Sequence, residues 1–488
     1  MKNTSKKGII WLFFSKLFPP LINFLVFAYT VRILSPEDFG LVALALSIIY
    51  ILASLMPSGW RSALVKYQCT DKLEISSVFW LNFFVSIFLA GILVVFAQLS
   101  LFGFQNEVFN LALTILTIKL IFDGLFHTLN IILLQQQKYS LIALRTIISS
   151  IISSTFIIIL IMFDYGVWAL IWAQVLLSIS NFIAVLIPTR RYVFFSFCTN
   201  TVKKMNPFAV YTTFTDSLTT ALDHYDSIIV GLGLGTRELG FYNVAQRLNR
   251  LIGDILIGTV NEVSFPELAK KQNKMDELKS TYLCTIYLSV ACLYPFLTLF
   301  FIKSDEIFIF LFTDKWLASS IIFQAFCIMF AFILLGVCQK NIIILHEHAK
   351  WWFQLQLKLS IIIIPLTAMT AFYDLNALLI SLIFAKFLYT LISMWKSCQI
   401  LSLSLQYYVS SFLRPVCCCI TTGILFTFIE THLLSFNNVF IGLVFSGVVF
   451  FVLYLVLLIL IDFNKLINIG MKIFPSNPFL IKLSRSNS

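Results

Sequence analysis

Charge is what this chain of 488 residues has least of. Only 12% of it is Asp, Glu, Lys or Arg, about half the share of an ordinary soluble domain. That is too little to cover a soluble particle of this size, which excludes a soluble enzyme, a secreted module and a disordered chain. The ten Cys form no CxxC pair and have no His at ligand spacing, so no metal site or redox centre is indicated. Within apolar segments Cys acts as a small hydrophobe. There is no Walker motif, which excludes a self-contained ATP-driven pump, and Gly231-Leu232-Gly233-Leu234-Gly235 lacks the βαβ setting of a nucleotide loop. No segment between apolar runs is long enough to fold as a domain of its own, and nothing points to nucleic acid.

Apolar residues are plentiful: 59% hydrophobic, with 51 Phe and a mean hydropathy of +0.94. A helix needs about 20 residues to cross a hydrocarbon core of about 30 Å. Windows of that size predict an all-α polytopic membrane protein with fourteen spans, from 8–33 and 39–57 through 77–99, 109–135, 139–163 and 166–187 in the first half. The second half gives 207–232, 240–265, 281–302, 318–345, 351–372 and 376–396, then 412–430 and 438–461. Lys2, Lys6 and Lys7 precede the first run as in a signal peptide. That run contains Lys16 and Pro19-Pro20 and lacks a small-residue cleavage site, so it is expected to be a retained span that bends or breaks at the prolines.

Of the 34 Lys and Arg, 23 fall on the side this topology shares with the termini and four, Arg32, Arg237, Lys303 and Lys315, on the other. The positive-inside rule then places both termini in the cytoplasm. An offset of 200 residues aligns Leu34-Ser35-Pro36-Glu37-Asp38-Phe39-Gly40 with Leu234-Gly235-Thr236-Arg237-Glu238-Leu239-Gly240. A weaker echo sets Leu134-Gln135-Gln136-Gln137-Lys138 against Leu345-His346-Glu347-His348-Ala349. Matching turns on the same membrane side imply a parallel repeat of six helices, with a pseudo-two-fold axis along the membrane normal. The expected organisation is an N-lobe over 1–187, a cytoplasmic linker over 188–206, a C-lobe over 207–398, two additional helices over 399–461 and a basic cytoplasmic tail over 462–488.

The stretch Arg32 to Gly40, reading Arg-Ile-Leu-Ser-Pro-Glu-Asp-Phe-Gly, and Pro57-Ser58-Gly59-Trp60-Arg61-Ser62-Ala63-Leu64 resemble the start of the polysaccharide exporters. So do Leu133-Leu134-Gln135-Gln136-Gln137-Lys138-Tyr139 and the run from Leu234 to Arg247. The resemblance is to the Wzx-type lipid-linked oligosaccharide flippases, in the polysaccharide exporter branch of the multidrug/oligosaccharidyl-lipid/polysaccharide (MOP) superfamily, and it extends over essentially all fourteen spans. It implies two six-helix lobes about a V-shaped cavity. It also implies transport, without an enzymatic step, of an undecaprenyl pyrophosphate-linked O-antigen or capsule repeat unit to the periplasmic leaflet of the bacterial inner membrane. Partners so implied are the lipid-linked oligosaccharide, membrane lipid and other polysaccharide assembly proteins.

Seven basic residues remain within expected spans: Lys16, Lys119, Arg247, Arg250, Lys340, Lys358 and Lys386. A cation at the bilayer centre costs about 2.5–3.5 kcal/mol on insertion scales, so such residues face a cavity, pair, or snorkel to a boundary. Lys340, Lys386 and Arg145, the last counted with an inner loop, lie near span ends where snorkelling serves. Lys119, Asp123 and His127 share one face of the fourth span, and Arg247, Arg250 and Asp254 one face of the eighth. Lys16, Lys119, Arg247 and Arg250 are therefore expected to line a wet cavity and to substitute for water around a pyrophosphate, a task that suits Arg through bidentate contacts. For Asp123, Asp216, Asp223, Asp226 and Asp254 two roles stay open, coupling to protons or sodium and salt bridges to those cations. No cofactor is called for.

Two other functions compete. A membrane polymerase or glycosyltransferase would need a sizeable outer loop with catalytic acids, whereas the largest one offers only Lys303, Asp305, Glu306, Asp314 and Lys315. A cation-coupled drug exporter shares the fold but calls for a neutral or acidic cavity.

Overall fold

The computed structural model describes the backbone of residues 2–68, 71–99, 106–433 and 439–473. Within these ranges, side chains are described except at 2–17, 254, 255, 259, 262, 263, 433, 464, 466 and 468–473. The described chain is helical, without a strand. Its first half comprises α1 (Lys2–Ile33), α2 (Pro36–Ser54), α3 (Ser58–Lys66), α4 (Lys72–Gln98), α5 (Glu107–Gln135), α6 (Tyr139–Met162), α7 (Val167–Thr189) and α8 (Thr199–Gly233). The second comprises α9 (Thr236–Lys270), α10 (Met275–Ile302), α11 (Ser304–Phe312), α12 (Ala318–Leu345), α13 (Ala349–Ala371), α14 (Leu375–Leu401), α15 (Leu405–Leu433) and α16 (Val439–Ile473).

Eleven helices among the described residues, α2, α4 to α7, α10 and α12 to α16, are long and apolar enough to cross a membrane. Of the other three that were expected to span, α8 and α9 have the length, at 35 residues each, but not the apolar composition, while the part of α1 whose side chains are described, Phe18–Ile33, is apolar but shorter than a span. Pro19 and Pro20 lie inside α1, whose helical assignment continues through them instead of breaking. At the other end, α16 kinks at Asp462 (φ −130°, ψ 24°), one residue past the expected end of the last span. Residues 474–488, most of the expected basic tail, lie outside the described residues.

The chain divides into two compact units, Met1–Asn243 and Val244–Ser488. In the first, α5 packs on α4 and α7, α6 on α1 and α7, and α2 on α5. Leu64, Phe79, Leu129, Ile132 and Val185 form a buried core there. Here too α8 packs on α2 and α3. In the second unit α12 packs on α10 and α14, α13 on α14, and α10 on α15, which in turn packs on α16. Its core is built on Tyr282, Val290, Phe330, Leu334 and Tyr408.

Local chemistry explains why the repeated turns fold alike. Ser35 caps α2 by accepting from the Asp38 N–H at 3.2 Å, and the Ser35 N–H donates to Asp38 Oδ2 at 3.2 Å. Pro36 occupies the first turn, where no donor is missed. The counterpart turn uses Gly235 at φ +96° to enter α9. The two turns also meet. A Cβ on Gly40 would lie 1.6 Å from the Thr236 carbonyl oxygen, and one on Gly240 would lie 1.9 Å from that of Pro36. The 200-residue offset converts one of these contacts into the other, and the 3.5 Å ion pair joins Glu37 to its offset equivalent Arg237. The crossing of the two turns is locally symmetric, and only glycine leaves room there for backbone against backbone.

The second echo is structural as well, shifted by one residue from the sequence alignment. Gln137 (φ +52°) and Glu347 (φ +64°) both adopt left-handed conformations. The Lys138 N–H donates to the Leu133 carbonyl and the His348 N–H to that of Ile343, both at 3.0 Å. The backbone therefore pairs Gln137 with Glu347, where the sequence match had set Gln136 on Glu347.

Gly40→Ala or Gly240→Ala should each destabilise the purified protein by at least about 1–3 kcal/mol, as overpacking does. Gly91→Ala, whose Cβ would meet nothing within 4 Å, should be neutral. Melting of the three variants in detergent checks this; a Gly40→Ala protein that melts with wild type would rule out the close crossing.

Candidate functional site

The site grows from α5. Its spacing of four residues puts Lys119, Asp123 and His127 on one face, and α7, α2 and α3 supply their neighbours. Lys119 is only 6% exposed. Its ammonium donates to Asp123 Oδ2 at 2.8 Å and to Ser178 Oγ of α7 at 3.2 Å. It also lies 5.7 Å from the centre of the Tyr50 ring on α2, and that ring stacks on His224 of α8 at 4.9 Å. Asp216 of α8 accepts from Ser58 Oγ at 2.8 Å, at the start of α3.

His127, one turn beyond Asp123, lies within electrostatic reach of Arg61, Asp123, Lys119 and Arg145. It is exposed although protein surrounds it on most sides. This combination marks a side chain on the wall of a crevice. Arg61, on the short non-spanning α3, faces His127 and Asp216. Burial lowers its guanidinium to about 10, with Asp216 acting in the opposite sense; it remains a cation at neutral pH.

Arg145 of α6 corrects an expectation. It does not snorkel to a boundary: it is 9% exposed, with its guanidinium carbon 4.5 Å from the centre of the Phe126 ring. Nη2 donates to Thr146 Oγ1 at 3.2 Å, while Nε and Nη1 are buried and make no hydrogen bond. The cluster holds three cations, Arg61, Lys119 and Arg145, and two carboxylates, Asp123 beside Lys119 and Asp216 beside Arg61, so it has an excess of positive charge.

The structure thus brings together Lys119, Asp123 and Asp216 from the expected set. Asp226 is placed elsewhere, accepting from Tyr242 Oη at 2.6 Å and from the Ser227 N–H at 2.8 Å. Asp223 is exposed on α8, and on α9 Arg247 is half-buried and Arg250 exposed. The side chains of Lys16 and Asp254 lie outside the described residues. Lys340, Lys358 and Lys386 are exposed. Sequence reasoning missed Arg61, Arg145, Ser178 and Tyr50 as members. Arg61 stands in a quoted motif, Gly59-Trp60-Arg61, and that was its available signal; Ser178 and Tyr50 carried none. Among the described residues no three His, Cys, Asp or Glu side chains are grouped to hold a metal.

A family described as polysaccharide biosynthesis protein matches residues 30–321. The chain belongs to that family. Its relatives include the succinoglycan biosynthesis transport protein ExoT of Rhizobium meliloti (strain 1021), 24% identical over 64% of this chain and 63% of that protein. The chain therefore matches less than two thirds of ExoT's length. The teichuronic acid biosynthesis protein TuaB of Bacillus subtilis (strain 168) is 21% identical over 76% of this chain and 77% of its own. Among solved structures, the lipid II flippase MurJ in an inward closed conformation matches 94% of this chain and all of its own, with a TM-score of 0.77 at 13% identity. An inward-facing multidrug resistance MATE transporter of the MOP superfamily matches 82% of this chain and 99% of its own, with a TM-score of 0.60 at 14% identity. The family member thus has the MOP fold, as its motifs suggested.

Removing one partner of a buried pair leaves an uncompensated charge. Lys119→Met and Asp123→Asn should each cost roughly 3 kcal/mol, and the double variant K119M/D123L should cost less than the two single changes together. Melting of the purified proteins measures this; strictly additive losses would show that the two charges do not depend on each other.

Proposed function

We propose that the protein is a transporter that flips undecaprenyl pyrophosphate-linked oligosaccharide repeat units from the cytoplasmic to the periplasmic leaflet by alternating access, for O-antigen or another surface polysaccharide. The observation that carries this proposal is the net-positive crevice formed by Arg61, Lys119 and Arg145 among apolar helices. A polyprenyl tail can remain in lipid throughout, so the costly step is moving pyrophosphate and hydroxyls through hydrocarbon. Fixed cations on a crevice wall replace the water these groups lose. Membership of the polysaccharide biosynthesis family, a relative named as a transport protein and the fold shared with a lipid II flippase support the same reading.

In this scheme α1, α8 and α9 also span the membrane, giving fourteen spans with both termini cytoplasmic in the bacterial inner membrane. The moving parts are lobes over 1–187 and 207–398, with 399–461 appended. Lys16, Arg247 and Arg250 join Lys119 along the cargo's route, and the aspartates serve coupling or charge pairing.

A polymerase is disfavoured because two of the three candidate acids of its outer loop are engaged: Glu306, with Glu430, pairs with buried Lys303, and Asp305 accepts from Ser320. A drug exporter is disfavoured by the cation excess.

Deleting the gene should abolish long surface polysaccharide and leave lipid-linked single repeat units on the cytoplasmic face. Single units capped onto lipid A would instead point to a polymerase and defeat the proposal. Arg250→Ala should reduce export without loss of the protein from the membrane, as envelope polysaccharide and immunoblots would report; unchanged export would take Arg250 off the route.

A further inference from the structure

The segment between α7 and α8 is not a loose tether. It reads Arg190-Arg191-Tyr192-Val193-Phe194-Phe195-Ser196-Phe197-Cys198, and side chains of the first unit hold it along its length. Gln136, at the end of α5, donates to Tyr192 Oη at 3.0 Å. On α4, Ser76 Oγ donates to the Phe194 carbonyl at 2.5 Å and to the Ser196 carbonyl at 3.2 Å, and Trp80 Nε1 donates to the Phe194 carbonyl at 2.9 Å. Ser77 Oγ accepts from the Cys198 N–H at 2.9 Å. Trp60 of α3 then donates to the Val202 carbonyl in the first turn of α8, at 3.3 Å. The segment is therefore strapped onto α4.

That placement decides what surrounds it. α4 is long and apolar enough to cross a membrane and starts at Lys72. Trp80 is about 12 Å along its axis from Lys72 at about 1.5 Å per residue, whereas the polar layer over each face of the hydrocarbon is only about 5–7 Å deep. The Phe195 ring packs on Trp80 at 5.0 Å and so sits at the same depth. It is nonetheless 86% exposed, and Phe194, Phe197 and, one turn along α4 from Trp80, Phe84 are exposed as well. Such a patch of rings is unfavourable in water and at home in lipid. The stretches 71–80 and 190–204 carry five basic residues against two acidic ones, and Arg190, Arg191, Lys203 and Lys204 are exposed. Rings at acyl depth with cations flanking them are the pattern of a segment that lies in an anionic interface.

We infer that the strap and the first turns of α8 form a bilayer-inserted surface that binds anionic phospholipid. Phe195 and Phe197 enter the acyl region on the side of the membrane where α4 begins, and Arg190, Arg191, Lys203 and Lys204 bind the lipid phosphates. In the topology proposed above this is the cytoplasmic leaflet, but the chemistry does not depend on that name. The linker is thus part of the membrane interface rather than of the aqueous phase. A soluble partner protein is the other class of occupant, and it would have to reach rings held at the depth of Trp80. Because the strap leads directly into Thr199, the start of α8, lipid bound there also fixes the end of the helix that sets Asp216 beside Arg61.

The test uses the full-length protein in vesicles of phosphatidylcholine and phosphatidylglycerol, with Phe195→Trp as an added fluorophore read as the difference from wild type. Brominated phosphatidylglycerol should quench the added indole, and acrylamide in the aqueous phase should not. An indole that acrylamide reaches overturns the inference and leaves the patch to a soluble partner. Quenching by each brominated lipid in turn gives the relative affinity of the two lipids at the strap. At low salt phosphatidylglycerol should be preferred about fivefold, the effect of roughly one basic residue beside an anionic surface, and high salt should reduce that preference. Changing Arg190, Arg191, Lys203 and Lys204 together to Gln in the Phe195→Trp protein should abolish the preference, with melting in detergent unchanged because all four side chains are exposed. Equal affinity for the two lipids before that change overturns the anionic assignment, and so does a preference that survives it. If the fourfold variant cannot be obtained folded, salt dependence in Phe195→Trp alone decides, and a preference insensitive to salt overturns the assignment.

Discussion

A charged or polar group inside a membrane-spanning helix has no water to fall back on, and the molecule is organised around meeting that demand. The Lys119–Asp123 pair shows the pattern. One turn of α5 brings the charges together, and Ser178 supplies a further acceptor from α7, so a single salt bridge also fixes how two helices face each other. The second unit repeats the device. Arg414 of α15 donates to Asp462 at 2.8 Å where α16 kinks, and Lys465, one turn on, donates to the Ser411 carbonyl at 2.7 Å. The bend of α16 is thus tied to α15 by polar contacts at the kink and one turn past it.

The same demand explains how α8, the most polar of the long helices in the first unit, can lie among apolar ones. Three of its polar side chains are matched by the end of α2 and the start of α3. Ser217 Oγ donates to the Ser54 carbonyl at 2.7 Å, Thr213 Oγ1 accepts from the Gly59 N–H at 2.9 Å, and Asp216 accepts from Ser58. The break between α2 and α3 frees backbone groups that α8 then satisfies. Low hydropathy in α8 therefore reflects interior partners, and such a helix is tolerated where neighbours and internal polar groups take the place of water.

These contacts also show what the sequence could and could not reveal. The all-α membrane class was legible because apolar length is a one-dimensional property, whereas of the fourteen expected spans eleven among the described residues are long and apolar enough to cross a membrane. The repeat was legible because Gly40 and Gly240 are fixed by a backbone crossing that no other residue fits. The Lys119, Asp123 and His127 face was legible from helical periodicity. Arg145 was misplaced as a boundary residue because hydropathy measures distance along a helix and is blind to the direction of a side chain: six residues from the helix start it points inward, onto Phe126. Arg61 was hidden for a related reason. It sits on the nine-residue α3, too short to register as a membrane element, and was counted with the cytoplasmic charge. The one-residue error in the second repeat has a different origin, since residues of like type were aligned where the fold conserves a left-handed backbone.

Under the proposed transport reading, the balance of charge in the crevice bears on how an anion would be carried. A carrier must hold its cargo firmly enough to replace lost hydration and loosely enough to release it. A cluster of unpaired cations would bind pyrophosphate too well and would be costly to keep folded while empty. Here two of the three cations have acidic neighbours within the same unit, so the field that a cargo meets is close to that of one positive charge. Pairing also makes the field adjustable. Lys119 and Asp123 share one helix and keep each other through any rearrangement of their neighbours, whereas Arg61 and Asp216 belong to α3 and α8. If α8 shifts against α3 during the cycle, the second pair loosens and the crevice gains or loses effective charge without any residue changing its protonation. The affinity for a phosphate then follows the position of a helix, which is the form of coupling that alternating access requires.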